Sequence, residues 1–369
     1  MKTRLLPAGI LAMLPFCLGS AARAQSDTTQ LYGRLNLGLE SAHASGDAGR
    51  SPPAASRLTR LANYRSVIGL RGDAPLGRSL HLIWQVEGSV APDNGTGALA
   101  SRNTRVGLEG RWGTLFAGNW TTPYNASTTD LDPFYVTTAG YMSIMGNGAA
   151  PSSDNLSDTS SFDRRQQNSL HYWTPSWRGL SLGLAHGFSE ERPAGGARPA
   201  LDSAALLLER GPLFLALAHE RHRDYHGPGR DDRGTRLALA YRFGPTRLAL
   251  AGERLDYRTA SGALRRDAWY VSATRQVGQH ALSLGVAKAQ HGQGTARQRI
   301  GFISAGPDTG AVHATIGYEL ALSPRTTLFA FHTRLHNDDR GAVDFAINGL
   351  DPVAGAHLRG TALGIRHAF

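Results

Sequence analysis

Ten residues near the start of the chain, Leu31-Tyr32-Gly33-Arg34-Leu35-Asn36-Leu37-Gly38-Leu39-Glu40, alternate with a period of two. Odd positions hold Leu, Gly, Leu, Leu and Leu, and even positions hold Tyr, Arg, Asn, Gly and Glu. A helix would scatter these leucines around its circumference, whereas a strand gathers them on one face. About ten residues is also the length at which a tilted strand crosses a bilayer.

The same texture recurs to the C-terminus. Residues 64–72 and 80–88 read as paired strands, as do 103–110 and 113–119, 169–174 and 179–188, and 203–210 and 213–220. Further pairs are 235–243 with 246–254, 267–275 with 280–288, and 312–320 with 326–334, and a last strand covers 358–369. Within pairs the connections are short and rich in Gly and Pro. Between pairs lie the polar stretches 41–63, 89–102, 120–168, 189–202, 221–234, 255–266, 289–311 and 335–357. Strict alternation of short and long connections is the pattern of an outer-membrane barrel, with periplasmic turns at one end and external loops at the other. The reading is therefore all-β: a transmembrane antiparallel β-barrel of about sixteen strands. Both chain ends fall on the periplasmic side, where first and last strands pair and leave no edge. Tyr32, Trp84, Trp112, Trp177, Tyr241, Phe243, Trp269, Tyr318 and Phe369 lie near strand ends, as interfacial belts require.

Residues 1–24 stand apart. Lys2 and Arg4 precede an apolar run too short to span a membrane comfortably, and Ala22-Arg23-Ala24 is a small-x-small cleavage site. A secretory signal peptide ending at Ala24 is expected, with residues 25–369 forming the barrel. Cys17, the only cysteine, lies in that leader. The mature chain then has no disulfide, thiolate metal site or cysteine nucleophile. The formal charge of +10 drops to +7 once Lys2, Arg4 and Arg23 are removed. The arginines are spread evenly rather than clustered in a stripe, which argues against nucleic-acid binding.

Residues 120–168 are the longest segment without a strand or helix period. So long a structureless stretch in a compact domain points to a functional loop. Asp130, Asp132, Asp154, Asp158 and Asp163 are spread along it, and its basic residues are Arg164 and Arg165. Flanking strands are rich in arginine, so an acidic loop folded into a basic-walled lumen is expected. Strand parity turns Tyr32, Arg34, Asn36, Glu40, Arg65, Arg71, His81, Gln85, Glu87, Asn103, Arg105 and Glu109 inward.

Several stretches resemble the general porins of the β-proteobacterial outer membrane. Gly69-Leu70-Arg71-Gly72 with Trp84-Gln85-Val86-Glu87 is similar to that family's second hairpin. Arg102-Asn103, Val106-Gly107-Leu108 and Trp112-Gly113-Thr114-Leu115 resemble the next one. Gln167-Asn168-Ser169-Leu170-His171-Tyr172 resembles the exit from its constriction loop. The most specific likeness is residues 316–326, and Gly364-Ile365-Arg366-His367-Ala368-Phe369 ends the chain as those porins end. The resemblance implies a trimer of sixteen-stranded barrels in the outer membrane of a Gram-negative bacterium, with the third loop folded inward. It implies passive diffusion of ions and small hydrophilic solutes, and contacts with outer-membrane lipid, lipopolysaccharide and the barrel-assembly machinery. Phe369 resembles the family's assembly signal. Val67, Asn119 and His171 depart from the inward Arg or Lys common there, and Arg105 stands where an aromatic is usual.

The expected constriction sets Arg34, Arg65 and Arg105 against Asp130 and Asp132, a transverse field that would favour anions weakly. A substrate-selective channel or a receptor-like or adhesin-like barrel of the same fold is the alternative. Enzyme readings are weaker. His219-Glu220-Arg221-His222 lacks metalloprotease spacing, and Ser169 and His171 share a strand face without an evident third member. The fourteen histidines are scattered, so neither a metal site nor a cofactor is expected.

Overall fold

The computed structural model describes residues 27–45, 57–148, 160–190, 193 and 195–369. The expected signal peptide, Asp154 and Asp158 lie outside the described residues. Among these residues one antiparallel sheet contains nineteen strand segments. Leu58–Asn63 and Val67–Pro75 are halves of one wall strand, and Thr96–Ala98 and Gln293–Gly294 are short ribbons outside the wall. Sixteen wall strands remain. Each pairs with its sequence neighbours, and the first strand, Thr28–Ala44, pairs with the last, His357–Ala368. The sheet closes into a barrel, so no edge is left unpaired in lipid.

The outer surface follows from the period-two pattern. Leu31, Leu35, Leu39, Leu70, Leu217, Leu237, Leu250, Ile316 and Leu363 are exposed on it. Trp112, Trp177, Tyr241, Phe243, Tyr318 and Phe369 are exposed near the short-turn end, the aromatic girdle expected of a membrane interface. Tyr32 turns inward instead, and its hydroxyl donates to Glu87 at 3.0 Å. At the closing seam the backbones of Gly33 and Phe369 exchange two hydrogen bonds of 3.1 Å. The Phe369 ring lies directly over Gly33, where an added Cβ would stand 2.4 Å from it.

Two boundaries differ from the expectation. The second wall strand begins at Leu58, inside a stretch read as loop, and breaks at Tyr64–Ser66. Arg65 there adopts a φ of 55°, a left-handed conformation that costs energy for a side chain with a Cβ. The second difference is at 255–266, which is not a long loop. Strand Thr246–Thr259 pairs to its end with Gly262–Val277, Thr259 opposite Gly262. Within this stretch the outward residues Asp256, Arg258 and Arg265 are charged, not apolar, so it looked like a loop although both strands are paired to their ends.

The lumen is not uniformly polar. Strands Leu213–Arg223, Asp232–Phe243 and Thr246–Thr259 carry a Leu-Ala alternation, and its leucines face out. Its alanines, Ala216, Ala218, Ala238, Ala240, Ala249 and Ala251, face in and are buried. Against this smooth arc pack Leu131, Tyr141, Met142, Ile144 and Met145 of the long loop, together with Val343, Phe345 and Ile347 of the last external connection.

Candidate functional site: the pore constriction

The long loop runs from Thr122, after strand Gly113–Thr121, to Arg164, before strand Arg165–Trp173. Its described residues form short turns. One helical turn, Pro123–Ala126, starts with proline at its first position, and the Thr122 hydroxyl accepts from the Asn125 amide at 3.3 Å. Three 3₁₀ turns follow at Thr129–Leu131, Tyr141–Ser143 and Met145–Asn147.

Buried polar groups fix this loop to the wall. Glu253, opposite Arg236 across two strands, accepts from the Tyr124 hydroxyl at 2.8 Å and from the Gly146 amide at 2.8 Å. Arg236 donates to the same carboxylate through Nε at 3.0 Å and to Thr128 at 2.6 Å, with its guanidinium 4.4 Å from the Tyr124 ring. On the opposite wall Glu40 accepts from the Thr138 hydroxyl at 2.6 Å and from Tyr64 at 2.9 Å. Phe134 fills the hollow over Gly317, where a Cβ would lie 2.4 Å from its ring. Asn147 donates to Tyr257 and to the Ile300 carbonyl, both at 3.0 Å.

Between the loop and the remaining wall lies the open lumen, in two adjoining spaces. One, of about 690 Å³, is bordered by Arg34, Glu87, Arg102, Asp130, Asp132, Pro133 and Arg247. The other, of about 310 Å³, is bordered by Arg65, Arg102, Asn103, Tyr135, Asp163, Arg164 and Arg165. Six arginines thus meet four carboxylates around the passage. Arg34 donates to the carbonyl of left-handed Arg65 at 3.1 Å, which ties these two cations together. Arg165 donates to Asn103 at 2.7 Å, and Arg102 reaches Glu87 at 3.3 Å. Arg65 stands 3.8 Å from Asp163.

The residues expected at the constriction divide. Arg34, Asp130 and Asp132 border one space and Arg65 the other. Arg105 borders neither, and its guanidinium lies 4.7 Å from the Phe116 ring and 4.4 Å from Trp120. Asp130 is exposed, and its backbone carbonyl accepts from Arg247 at 2.6 Å. Asp132 is buried and accepts from the Tyr141 amide and the Tyr270 hydroxyl, each at 2.7 Å, and from the Phe134 amide at 3.0 Å. Burial pushes its carboxyl up to about 6 despite those donors. Sequence reading did not place Arg102, Arg164, Arg165 or Arg247 at the constriction. Strand parity would have caught Arg247, two residues before the inward Ala249, but Arg102 and Arg165 sit at strand boundaries where parity is undefined.

The pairs weighed for catalysis have structural partners. Ser169 donates to the carbonyls of Gln166 and Gly118, and His171, 3.0 Å away, stacks on Phe116. Glu220 and His222 meet at 2.8 Å as a fully buried pair. Among the described residues no cluster of His, Cys, Asp and Glu has the geometry to hold a metal.

Comparisons with known proteins agree with this architecture. The sequence model of the Gram-negative porin family matches residues 10–340. Outer membrane porin protein 32 of Delftia acidovorans is 27% identical over 98% of this chain and 99% of its own length. An outer membrane porin of Bordetella pertussis is 24% identical over the whole of both chains. Among solved structures, the anion-selective porin from Comamonas acidovorans superposes with a TM-score of 0.78 at 24% identity, covering 93% of this chain and 100% of that one. OmpT of Vibrio cholerae superposes at 0.67 with 14% identity, over 96% of this chain and 100% of its own. The chain belongs to the Gram-negative porin family, and it is a general diffusion porin of the outer membrane, a channel and not an enzyme.

Proposed function

We propose that the pore passes ions and small hydrophilic solutes with a weak preference for anions, set where Arg34, Arg102 and Arg247 share a space with Asp130 and Arg65 borders the adjoining one. The carrying observation is the imbalance of six arginines against four carboxylates around the passage, with Asp132, Asp163 and Arg164 buried, which leaves five less buried arginines against two carboxylates. Fixed charge of one sign along a narrow passage concentrates the opposite ion. Lumen salt screens these charges over ~8–10 Å at ordinary ionic strength, so the preference is modest and fades in concentrated salt. The similar Comamonas porin is itself described as anion-selective. Purified protein in a planar bilayer under a salt gradient is expected to give a reversal potential of anion sign, and a cation sign would overturn the reading.

The assembly is proposed to be a homotrimer, as the family resemblance implies, inserted by the barrel-assembly machinery through Phe369. The ring over Gly33 supports that role, because it sits where the last strand must find the first. Deleting Phe369 is expected to reduce outer-membrane insertion strongly and Phe369→Tyr to reduce it little. Normal insertion of the deletion would remove the assignment. The leader is proposed to be cleaved after Ala24, which intact-mass analysis of the mature protein tests.

A further inference from the structure

The two adjoining spaces of the passage differ in chemistry. Three arginines and three carboxylates border the larger one, so its fixed charges balance in number. Four arginines and one carboxylate, Asp163, border the smaller one, and Asp163 is buried and accepts from the Tyr135 hydroxyl at 2.7 Å. The smaller space also has aromatic and apolar walls, formed by Trp120, Tyr135, Ala126 and Val136. At about 310 Å³ it falls in the range of clefts that hold small ligands, which combine a mostly apolar lining with a few placed polar groups.

Strand parity brings Trp120 to this space. Phe116 is buried on the inward face of strand Gly113–Thr121, and Trp120, four residues on, shares that face. The two rings meet at 5.2 Å and 67°, and the Arg105 guanidinium lies 4.4 Å from the indole. Those contacts hold the indole on the wall before any solute arrives, which lowers the ordering cost of binding. Tyr135 is fixed from the loop side by its hydrogen bond to Asp163. The cations around the space are not equally engaged. Arg102 reaches Glu87 at 3.3 Å and Arg65 stands 3.8 Å from Asp163. Arg165 donates to the Asn103 side-chain oxygen at 2.7 Å, and among the described residues no ion pair engages it. An amide partner positions its guanidinium and leaves the charge uncompensated.

We propose that the smaller space is a transit subsite for aromatic carboxylates, with the aryl ring against Trp120 and Tyr135 and the carboxylate on Arg165. This rests on the anion reading of the passage and names the class of anion that the space favours. An aromatic ring gains from the faces and edges of other rings beyond the burial of its area, and a saturated ring does not. A planar guanidinium fork matches the two oxygens of a carboxylate. A chloride ion uses only the charge, and a neutral aromatic only the rings. Contacts of this modest size hold a solute briefly and still release it, as conduction requires.

Block of the potassium chloride current through the full-length protein in a planar bilayer tests this, with benzoate and cyclohexanecarboxylate as probes. The two carry the same charge on rings of the same carbon count, and only benzoate has a π face. Benzoate is expected to half-block wild type at a concentration about fivefold lower, the scale of an aromatic pair's advantage. Trp120→Leu is expected to bring that ratio to about one. Trp177→Leu, which removes an exposed indole at the periplasmic end, is expected to keep it. Arg165→Gln is expected to weaken block by both acids alike, because it removes the carboxylate's partner and leaves the rings. Should Trp120→Leu fail to fold, Trp120→Met fills the gap with a flexible side chain that has no ring, and the same loss is expected. Equal block of wild type by both acids, an undiminished ratio in whichever Trp120 variant folds, or an Arg165→Gln channel blocked as strongly as wild type would overturn the subsite. The reversal potential in a chloride gradient separates this from failure of the reading beneath it. Anion sign with equal block removes the subsite alone, and cation sign removes both.

Discussion

Two arcs of the same barrel wall use their inward faces differently, one to pack the loop and the other to line the passage. Across strands Leu213–Arg223 to Thr246–Thr259 the inward face carries the buried alanines Ala216, Ala218, Ala238, Ala240, Ala249 and Ala251, and most of these lie in one apolar cluster with the long loop. Across the arc from Thr28–Ala44 to Arg165–Trp173, Arg34, Arg65, Arg102 and Arg165 face the open passage. The contrast shows what a charge is for in each place. Arg236 and Glu253 in the alanine arc are fully buried and hold the loop. Arg34 and Arg102 in the other arc act on whatever passes.

The largest expected effect breaks the packed side. Glu253→Ala removes the acceptor for Tyr124, the Gly146 amide and Arg236 and leaves Arg236 and Arg266 buried beside an empty site. Stranding a buried partner in this way costs roughly 3–5 kcal/mol. The loop should loosen, with a lower thermal midpoint and larger, noisier single-channel conductance. A quiet channel of unchanged conductance would mean that the apolar contacts alone fix the loop.

A smaller change tests whether the alanines set the loop's depth. Ala251→Leu adds volume where the wall meets the loop, and overpacking of this kind costs typically about 1–3 kcal/mol. Because the strand is hydrogen-bonded on both sides, the loop is the part expected to yield, toward the passage. Conductance should fall with little change in selectivity. A fall in stability alone would show that the wall gives way first.

On the arginine side, Arg34→Gln with Arg102→Gln should leave stability nearly intact and move the reversal potential toward cations. Both residues border the same space as Asp130. Arg105→Gln serves as the contrast. Its guanidinium lies against Phe116 and Trp120 outside both spaces, so a smaller shift is expected. Equal shifts would mean that net lumen charge, not position, decides selectivity.

Much of this difference was readable from the sequence. Period two located the strands, alternating connection lengths oriented them, and parity turned Arg34 inward. The Leu-Ala repeat at residues 237–240 and 248–251 was a signal the sequence reading did not use, since small inward residues there leave room for the packed loop. Two things were not legible. Parity turned Arg65 inward, but the break in its strand and the left-handed φ of 55° are a tertiary effect that no local pattern encodes. The roles of Asp130 and Asp132 differ although they are two residues apart, because burial depends on Tyr141 and Tyr270, nine and 138 positions along the chain.

Those two acids of the loop give the finest test, because pH separates the buried one from the exposed one. Asp132 carries a carboxyl raised to about 6 because burial outweighs its three donors. Above that pH it is ionised and offsets part of the arginine field. As pH falls through about 6 it takes up a proton, the passage loses one negative charge, and anion preference should rise. The change is small, one charge among ten around the two spaces, and dilute salt is needed to see it. Asp130→Asn should raise anion preference at neutral pH and leave the step near pH 6 in place. Asp132→Asn should abolish the step, because the amide does not titrate. If the step survives Asp132→Asn, another carboxylate sets it, and the loop's buried acid has no electrostatic part in selectivity.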